Sequence, residues 1–313
     1  MIRSVRALTV LIAALVLAGA APDAARAQRA RAARGQARTA ASARASAKAK
    51  ASPAAKQKAY YASRAGRAAA ARKFARVARF QEKVPAMRRE VSARLARPRA
   101  DRDTAVAAIV RLMDVAYLRV GSERNALREE KASFGAASLR KEHVSVRGDR
   151  VRLTFRGKSG VAWRKEIVDR DLARAIRTFK KLPGERLFQA DLGGGRLVPV
   201  TERHVRSFLS DYGALPKDFR TLHANRLFRE AIAQQPAPKS PADVERNIQQ
   251  AIASGARELN HTPAIYQRAY LDPALPAEYR ASGQAGRGPP ARSAARERRS
   301  GGRASSARGG AAK

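Results

Sequence analysis

The chain has 313 residues, 65 Lys and Arg against 26 Asp and Glu, a formal net charge of +39, four His and no Cys. The missing thiolates exclude zinc-finger, disulfide and iron–sulfur scaffolds, and His143, His204, His223 and His261 have no close metal-ligand spacing, so no metal site is expected. An apolar fraction of 44% allows a core in one or two domains, whereas the charge is far from ordinary.

Part of that charge lies in segments too poor in large apolar groups to fold. Residues 1–56 carry 11 Lys/Arg and one Asp, and residues 281–313 carry eight Lys/Arg and one Glu, which leaves +22 on residues 57–280. The foldable part is therefore basic in its own right, and nucleic acid is the expected partner. A lipid surface is disfavoured, because the cations are scattered rather than gathered on one amphipathic helix. Residues 1–27 read as a signal-peptide-like leader: Arg3 and Arg6, an apolar run Ala7–Ala21, then Ala25-Arg26-Ala27 in small-x-small form. A misplaced start in a chain of biased composition yields the same pattern, so export and a cytoplasmic, nucleoid-associated location both stay open. Residues 28–56 and 281–313 are expected to be disordered.

Order is expected from about Gln57. Phe74, Val77 and Phe80, then Val84, Met87, Val91 and Leu95, predict two amphipathic helices ended by Pro98. Asp101 and Asp103 open an apolar helix whose buried face is Val106, Ile109, Val110, Met113, Tyr117 and Leu118. From Val144 the period becomes alternating, Val144/Val146, Val151/Leu153/Phe155 and Ala162–Val168, with Gly148-Asp149 and Gly157-Lys158-Ser159-Gly160 between: three antiparallel strands. Further helices follow on Leu172/Ile176/Phe179, after Thr201, from Pro216 to about Ala233, near 242–254, and from Thr262-Pro263 through Tyr266 and Tyr270. Gly193-Gly194-Gly195 makes a loop or loose hairpin.

Taken singly, the polar residues of interest each have an ordinary explanation. Arg119 is a charge at a helix end, Lys158 is an exposed hairpin tip, Arg220 has ion-pair partners on its own helix, and His261 precedes a helix N-terminus. Gly157-Lys158-Ser159 is not a phosphate loop, since Arg152 stands where glycine is required and a strand follows. Together, on a basic helical domain, Arg119, Lys158, Arg220, His261 and a tyrosine form a set able to split a phosphodiester without metal. Arginines and His meet the non-bridging oxygens, Lys protonates the leaving oxygen, and Tyr attacks phosphorus. Composition leaves Tyr266 and Tyr270, four apart, both open as that tyrosine.

The chain resembles the type IB DNA topoisomerases of the bacterial and poxvirus kind. The blocks that carry the resemblance are Leu118-Arg119-Val120-Gly121-Ser122-Glu123, Ser133-Phe134-Gly135, Ser138-Leu139-Arg140, Phe155-Arg156-Gly157-Lys158-Ser159-Gly160, Pro183-Gly184-Glu185-Arg186-Leu187-Phe188-Gln189, Lys217-Asp218-Phe219-Arg220-Thr221, His261-Thr262-Pro263 and Arg268-Ala269-Tyr270. The resemblance implies an α+β fold, a mainly helical catalytic domain with a small three-stranded antiparallel sheet. It also implies roles: Tyr270 as the nucleophile of a 3′-phosphotyrosyl link, Arg119, Arg220 and His261 on the scissile phosphate, and Lys158 as general acid for the 5′-hydroxyl. The implied partner is double-stranded DNA, acted on by a monomer with no metal, ATP or small-molecule cofactor. The implied organisation is a remnant of an N-terminal clamp domain over 57–80, around Gln57, Tyr60-Tyr61 and Lys73-Phe74, then a catalytic domain over 81–280.

Two positions depart from the family pattern: Asn260 stands where Gly is common, and Leu222-His223-Ala224-Asn225 follows Arg220-Thr221 where an aromatic and small residues are usual. A tyrosine recombinase uses nearly the same residues, but its second Arg sits in a His-x-x-Arg box, and here Lys217 holds the first position. The other alternative is a non-catalytic basic DNA-binding protein.

Overall fold

In the computed structural model the described residues are 63–128 and 131–284, together with 32–36, 55, 59 and 60. The chain divides into two units, residues 1–69 and 70–313. The leader expected over 1–27 lies outside the described residues, as do 285–313. Residues 32–36 are helical, within the segment expected to be disordered. Ala, Arg and Gln are good helix formers, and that local preference outweighs the low complexity there.

The second unit is mainly helical, as expected, with two small antiparallel sheets. The first long helix, α1 (Arg64–Ala96), whose residues from Ala70 belong to this unit, is one continuous element where two were expected. Pro85 lies inside it. An interior proline costs about 3 kcal/mol, but Val77, Phe80, Val84, Met87, Val91 and Leu95 make one unbroken stripe, each at most 5% exposed. Burial at ~1.5–3 kcal/mol per large side chain outweighs the proline.

Helix α2 (Arg102–Val115) is capped by Asp101, whose carboxylate accepts from the Thr104 N–H at 2.8 Å. A short turn of helix, α3 (Glu123–Ala126), leads to the sheet of β1 (Val144–Arg147), β2 (Arg150–Arg156) and β3 (Ala162–Val168), in the order β1-β2-β3. Val144 pairs with Leu153 and Phe155 with Trp163, so one face is apolar, and the Phe155 and Trp163 rings stack at 6.0 Å. Helix α4 (Arg170–Lys180), capped by Asp169, covers that face. The glycine triplet does form a hairpin, between β4 (Gln189–Asp191) and β5 (Leu197–Pro199).

The remaining elements are α5 (Glu202–Ser210), α6 (Asp218–Ala233), α7 (Pro241–Glu258), α8 (Pro263–Ala269) and α9 (Ala274–Gln284). Helix α9 was not expected and runs past residue 281, where the tail was to begin. Leu275 and Tyr279 on α9 pack against the α7 cluster, and this burial orders the segment.

Two apolar clusters meet along α6. Phe219 and Leu222 belong to the first, with α1, α2 and the sheet; Ala224 and Phe228 belong to the second, with α7 and α8. Beneath the junction Asp114 of α2 accepts two hydrogen bonds from Arg88 of α1, at 2.7 and 3.0 Å, and lies 3.1 Å from His223 of α6. Burial alone would raise the Asp114 pKa, yet His223 and Arg88 together hold the carboxyl well below its usual range. Asp114→Ala should therefore destabilise the fold. Arg88 is half exposed and can rehydrate, so the loss is about 2–3 kcal/mol, nearer that of charged hydrogen bonds than of a stranded buried ion. Urea denaturation measures it, and an unchanged midpoint would show that this junction carries no stability.

Candidate active site

Arg119 follows α2 and is fixed by its own backbone. Its carbonyl accepts from the Ala136 N–H at 2.8 Å, and the next carbonyl, of Val120, accepts from Ala137 at 2.7 Å. Gly121 and Gly135 let these strands approach: a Cβ on Gly121 would lie 2.7 Å from the Gly135 nitrogen. Arg220, in the first turn of α6, is 2% exposed. Its two terminal nitrogens donate to the carbonyls of Tyr117 and Leu259, while Nε is buried with no hydrogen-bond partner among the described residues. Burial, then the nearby Arg119 guanidinium, lower its pKa to about 10, with Tyr270 opposing.

Tyr117 was expected to be a face residue of the preceding helix; instead it sits just beyond α2 with φ 59°, the left-handed region. That conformation costs a non-glycine residue roughly 1–2 kcal/mol. It turns the Tyr117 carbonyl onto Arg220. The ring is held by its surroundings, with His223 at 4.8 Å, Lys165 Nζ at 5.1 Å, and a hydrogen bond from Arg226 to the hydroxyl at 2.8 Å.

His261 lies against both arginines. Its Nε2 is 3.2 Å from an Arg119 terminal nitrogen, which can only donate, so Nε2 accepts and the ring proton is on Nδ1. The imidazole stacks on the Tyr270 ring at 5.0 Å and 19°. Tyr270 also receives Arg220, with the guanidinium carbon 5.5 Å from its ring centre, and Arg119 at 5.9 Å. Arg119, Arg220, His261 and Tyr270 thus converge on one place. Tyr266 does not join them. It is fully buried, its hydroxyl donates to the Ala224 carbonyl, and its phenol fills the space a Cβ at Gly255 would need. Burial raises its pKa. The two tyrosines do not share a face as expected, because α8 ends at Ala269 and Tyr270 has already left helical geometry at φ −130°, ψ −34°.

Lys158 is exposed on a turn in which Ser159 adopts φ 62° and Gly157 packs under Trp163. Its charge reaches His261, whose pKa is lowered to about 3 by burial first, then by Arg220, Arg119 and Lys158. Asn260 links this hairpin to His261. It has φ 53°, which Asn tolerates better than most residues, and its Nδ2 donates to the Ala162 carbonyl at 2.9 Å. The Asn at this position thus takes a left-handed backbone conformation open to Gly and adds a tether.

The profile of the eukaryotic DNA topoisomerase I catalytic core matches residues 62–274. The chain belongs to the topoisomerase I catalytic-core family. It is also similar to the DNA topoisomerase 1B of Acanthamoeba polyphaga mimivirus, 29% identical over 209 residues, covering 64% of this chain and 62% of the viral protein. The chain thus spans about 62% of the length of that relative.

In this topoisomerase-family chain, three groups that shape the site were not singled out in the sequence, the Tyr117 and Leu259 carbonyls and Trp163, 6.0 Å from Arg220, while Lys73, read there as part of the clamp remnant, lies beside Ala269. A backbone carbonyl leaves no mark on residue identity.

The imidazole makes a pH prediction. An unfolded His titrates near 6.5, and the folded one at about 3, so between these values the unfolded chain holds the extra proton. Stability contributed at His261 is therefore present above pH 6.5 and is lost as pH falls toward 3. His261→Gln should flatten the decline in melting temperature between pH 7 and 4.5, and equal slopes would refute a neutral His261.

Proposed function

We propose that this chain relaxes supercoiled duplex DNA by transient cleavage of one strand, without ATP or metal. The Tyr270 oxygen attacks the phosphorus, the bond to the 5′-oxygen breaks, and a 3′-phosphotyrosyl link forms. The phenolic proton leaves to solvent, and Lys158 supplies the proton that makes the departing oxygen a 5′-hydroxyl. The bond energy is kept in the ester, so the freed strand can rotate and the 5′-hydroxyl can then attack and reseal.

The observation that carries this reading is the Arg220 guanidinium. A buried cation normally has a carboxylate partner. This one is anchored by two neutral carbonyls, with Arg119 close enough to lower its pKa, the Tyr270 ring 5.5 Å from the guanidinium carbon, and Nε without a hydrogen-bond partner among the described residues. Such an arrangement suits an anion that arrives with the substrate, and a phosphodiester fits between it, Arg119 and His261. Stacking of His261 on Tyr270 gives the phenol one approach to that phosphate.

The test is relaxation of a negatively supercoiled plasmid in EDTA without nucleotide. Product topoisomers support the reading, activity seen only with Mg²⁺ or ATP overturns it, and retardation without relaxation would indicate a DNA-binding protein alone. Binding should be strongly salt-dependent, with log K falling by ~0.9 per phosphate contact for each decade of salt, and similar across unrelated duplexes. A flat salt response, or one duplex preferred by orders of magnitude, would instead require direct reading of base edges.

A further inference from the structure

Helix α8 is only seven residues long, and the last carbonyls of a helix have no partner within it. One of them belongs to Ala269, in the peptide that leads into Tyr270. It accepts a hydrogen bond of 3.0 Å from Nζ of Lys73, 196 residues earlier on α1. On the other side of Tyr270 the chain is tied again, where the Asp272 N–H donates to the Asn225 side chain of α6 at 2.9 Å. Between the two ties Leu271 is 2% exposed. Tyr270 is therefore bracketed, and the upstream bracket is the charged one.

The setting of Lys73 explains why its ammonium goes to a carbonyl. The charged groups around it are Arg76 and Lys217, and Asp218 and Asp272. Asp218 is engaged by Arg76 at 2.7 and 2.8 Å and by the Leu215 N–H at 2.9 Å; Asp272 accepts from Ala274 at 3.0 Å. The side chain is half-buried with its nitrogen 3.9 Å from the Phe74 ring centre. Burial chiefly lowers its pKa to about 8, with Asp272 the main opposing charge. A partly desolvated cation at the C-terminal end of a helix is favoured by the helix dipole and bonds strongly to the carbonyl it meets.

We propose that Lys73 is a positioning residue for Tyr270: by capping the Ala269 carbonyl it holds the point where the chain leaves α8, and so fixes the phenol against His261 and Arg220. The proposal rests on Tyr270 being the attacking group, so its test has one arm that needs no DNA. The full chain is labelled with 3-fluorotyrosine, the Tyr270 and Tyr266 resonances are assigned from their Phe variants, and Lys73→Met and Lys73→Arg are compared. Lys73→Met should shift or broaden the Tyr270 resonance and leave that of Tyr266 in place; Lys73→Arg, which can still donate to Ala269, should restore it.

With DNA, single-turnover cleavage should fall roughly tenfold or more in Lys73→Met, as expected when a reacting group is misplaced by a fraction of an ångström, and recover in Lys73→Arg. Duplex affinity should stay within about twofold. An unmoved Tyr270 resonance overturns the proposal. So does a loss of affinity parallel to the loss of cleavage, which would make Lys73 a phosphate contact, and so does equal damage in both variants, which would make it a packing residue. If the wild type forms no adduct while the fluorine signal responds and recovers as described, the positioning stands and the role of Tyr270 as nucleophile fails.

Discussion

Tyr270→Phe is expected to abolish formation of the covalent DNA adduct, and Tyr266→Phe to retain it. Phenylalanine keeps the ring on His261 and removes only the oxygen, so the loss isolates nucleophilicity from folding. Tyr266→Phe has the opposite character. Its hydroxyl is buried on the Ala224 carbonyl, so removing it costs about 1–3 kcal/mol of stability while leaving cleavage intact below the melting transition. The measurement is denaturant trapping on a labelled duplex, followed by sequencing of the adduct peptide, with thermal melting alongside. An adduct on Tyr266 would refute the assignment outright.

Arg220→Lys should be nearly as damaging despite keeping the charge. The guanidinium donates to the Tyr117 and Leu259 carbonyls from two fixed terminal nitrogens and keeps Nε as a third donor, a planar spread that the single nitrogen of an ammonium cannot reproduce. The ammonium is also more strongly hydrated and resists a site this buried. The loss should approach that of a missing transition-state donor, about 10²–10³ in rate or ~2.7–4 kcal/mol. Single-turnover cleavage against duplex affinity decides it. Near-normal cleavage with weakened binding would make Arg220 a docking residue instead.

Much of this architecture was legible in the chain itself. The alternation of Val151, Leu153 and Phe155 located the sheet because one face is buried and the other wet, and the blocks around Arg119, Arg220, His261 and Tyr270 named four side chains that the fold brings together. What escaped reading has physical causes. The apolar spacing was read as two helices, but one buried stripe runs through Pro85 and joins them. Helix α9 was not read, and its last turn was placed in the tail, because Leu275 and Tyr279 are ordered by packing on residues outside their own segment. The choice between Tyr266 and Tyr270 is invisible in composition, since it depends on where α8 stops. Lys73 was legible only as part of the clamp-domain remnant, with Phe74, and its bond to the Ala269 carbonyl, 196 residues away, leaves no mark in the sequence.

The left-handed turn at Tyr117 makes the two arginines a single component. The carbonyl of residue 117 holds Arg220, and two residues further along the same backbone comes Arg119, so one local conformation sets both guanidiniums. Damage there is not divisible. A change that lets residue 117 relax to ordinary φ should take the carbonyl off Arg220, leaving it only Leu259, and pull on the backbone that Ala136 and Ala137 hold at Arg119. Double variants across 117, 119 and 220 should accordingly be sub-additive in thermal stability and in single-turnover cleavage, as expected of one unit rather than of two cations acting in parallel.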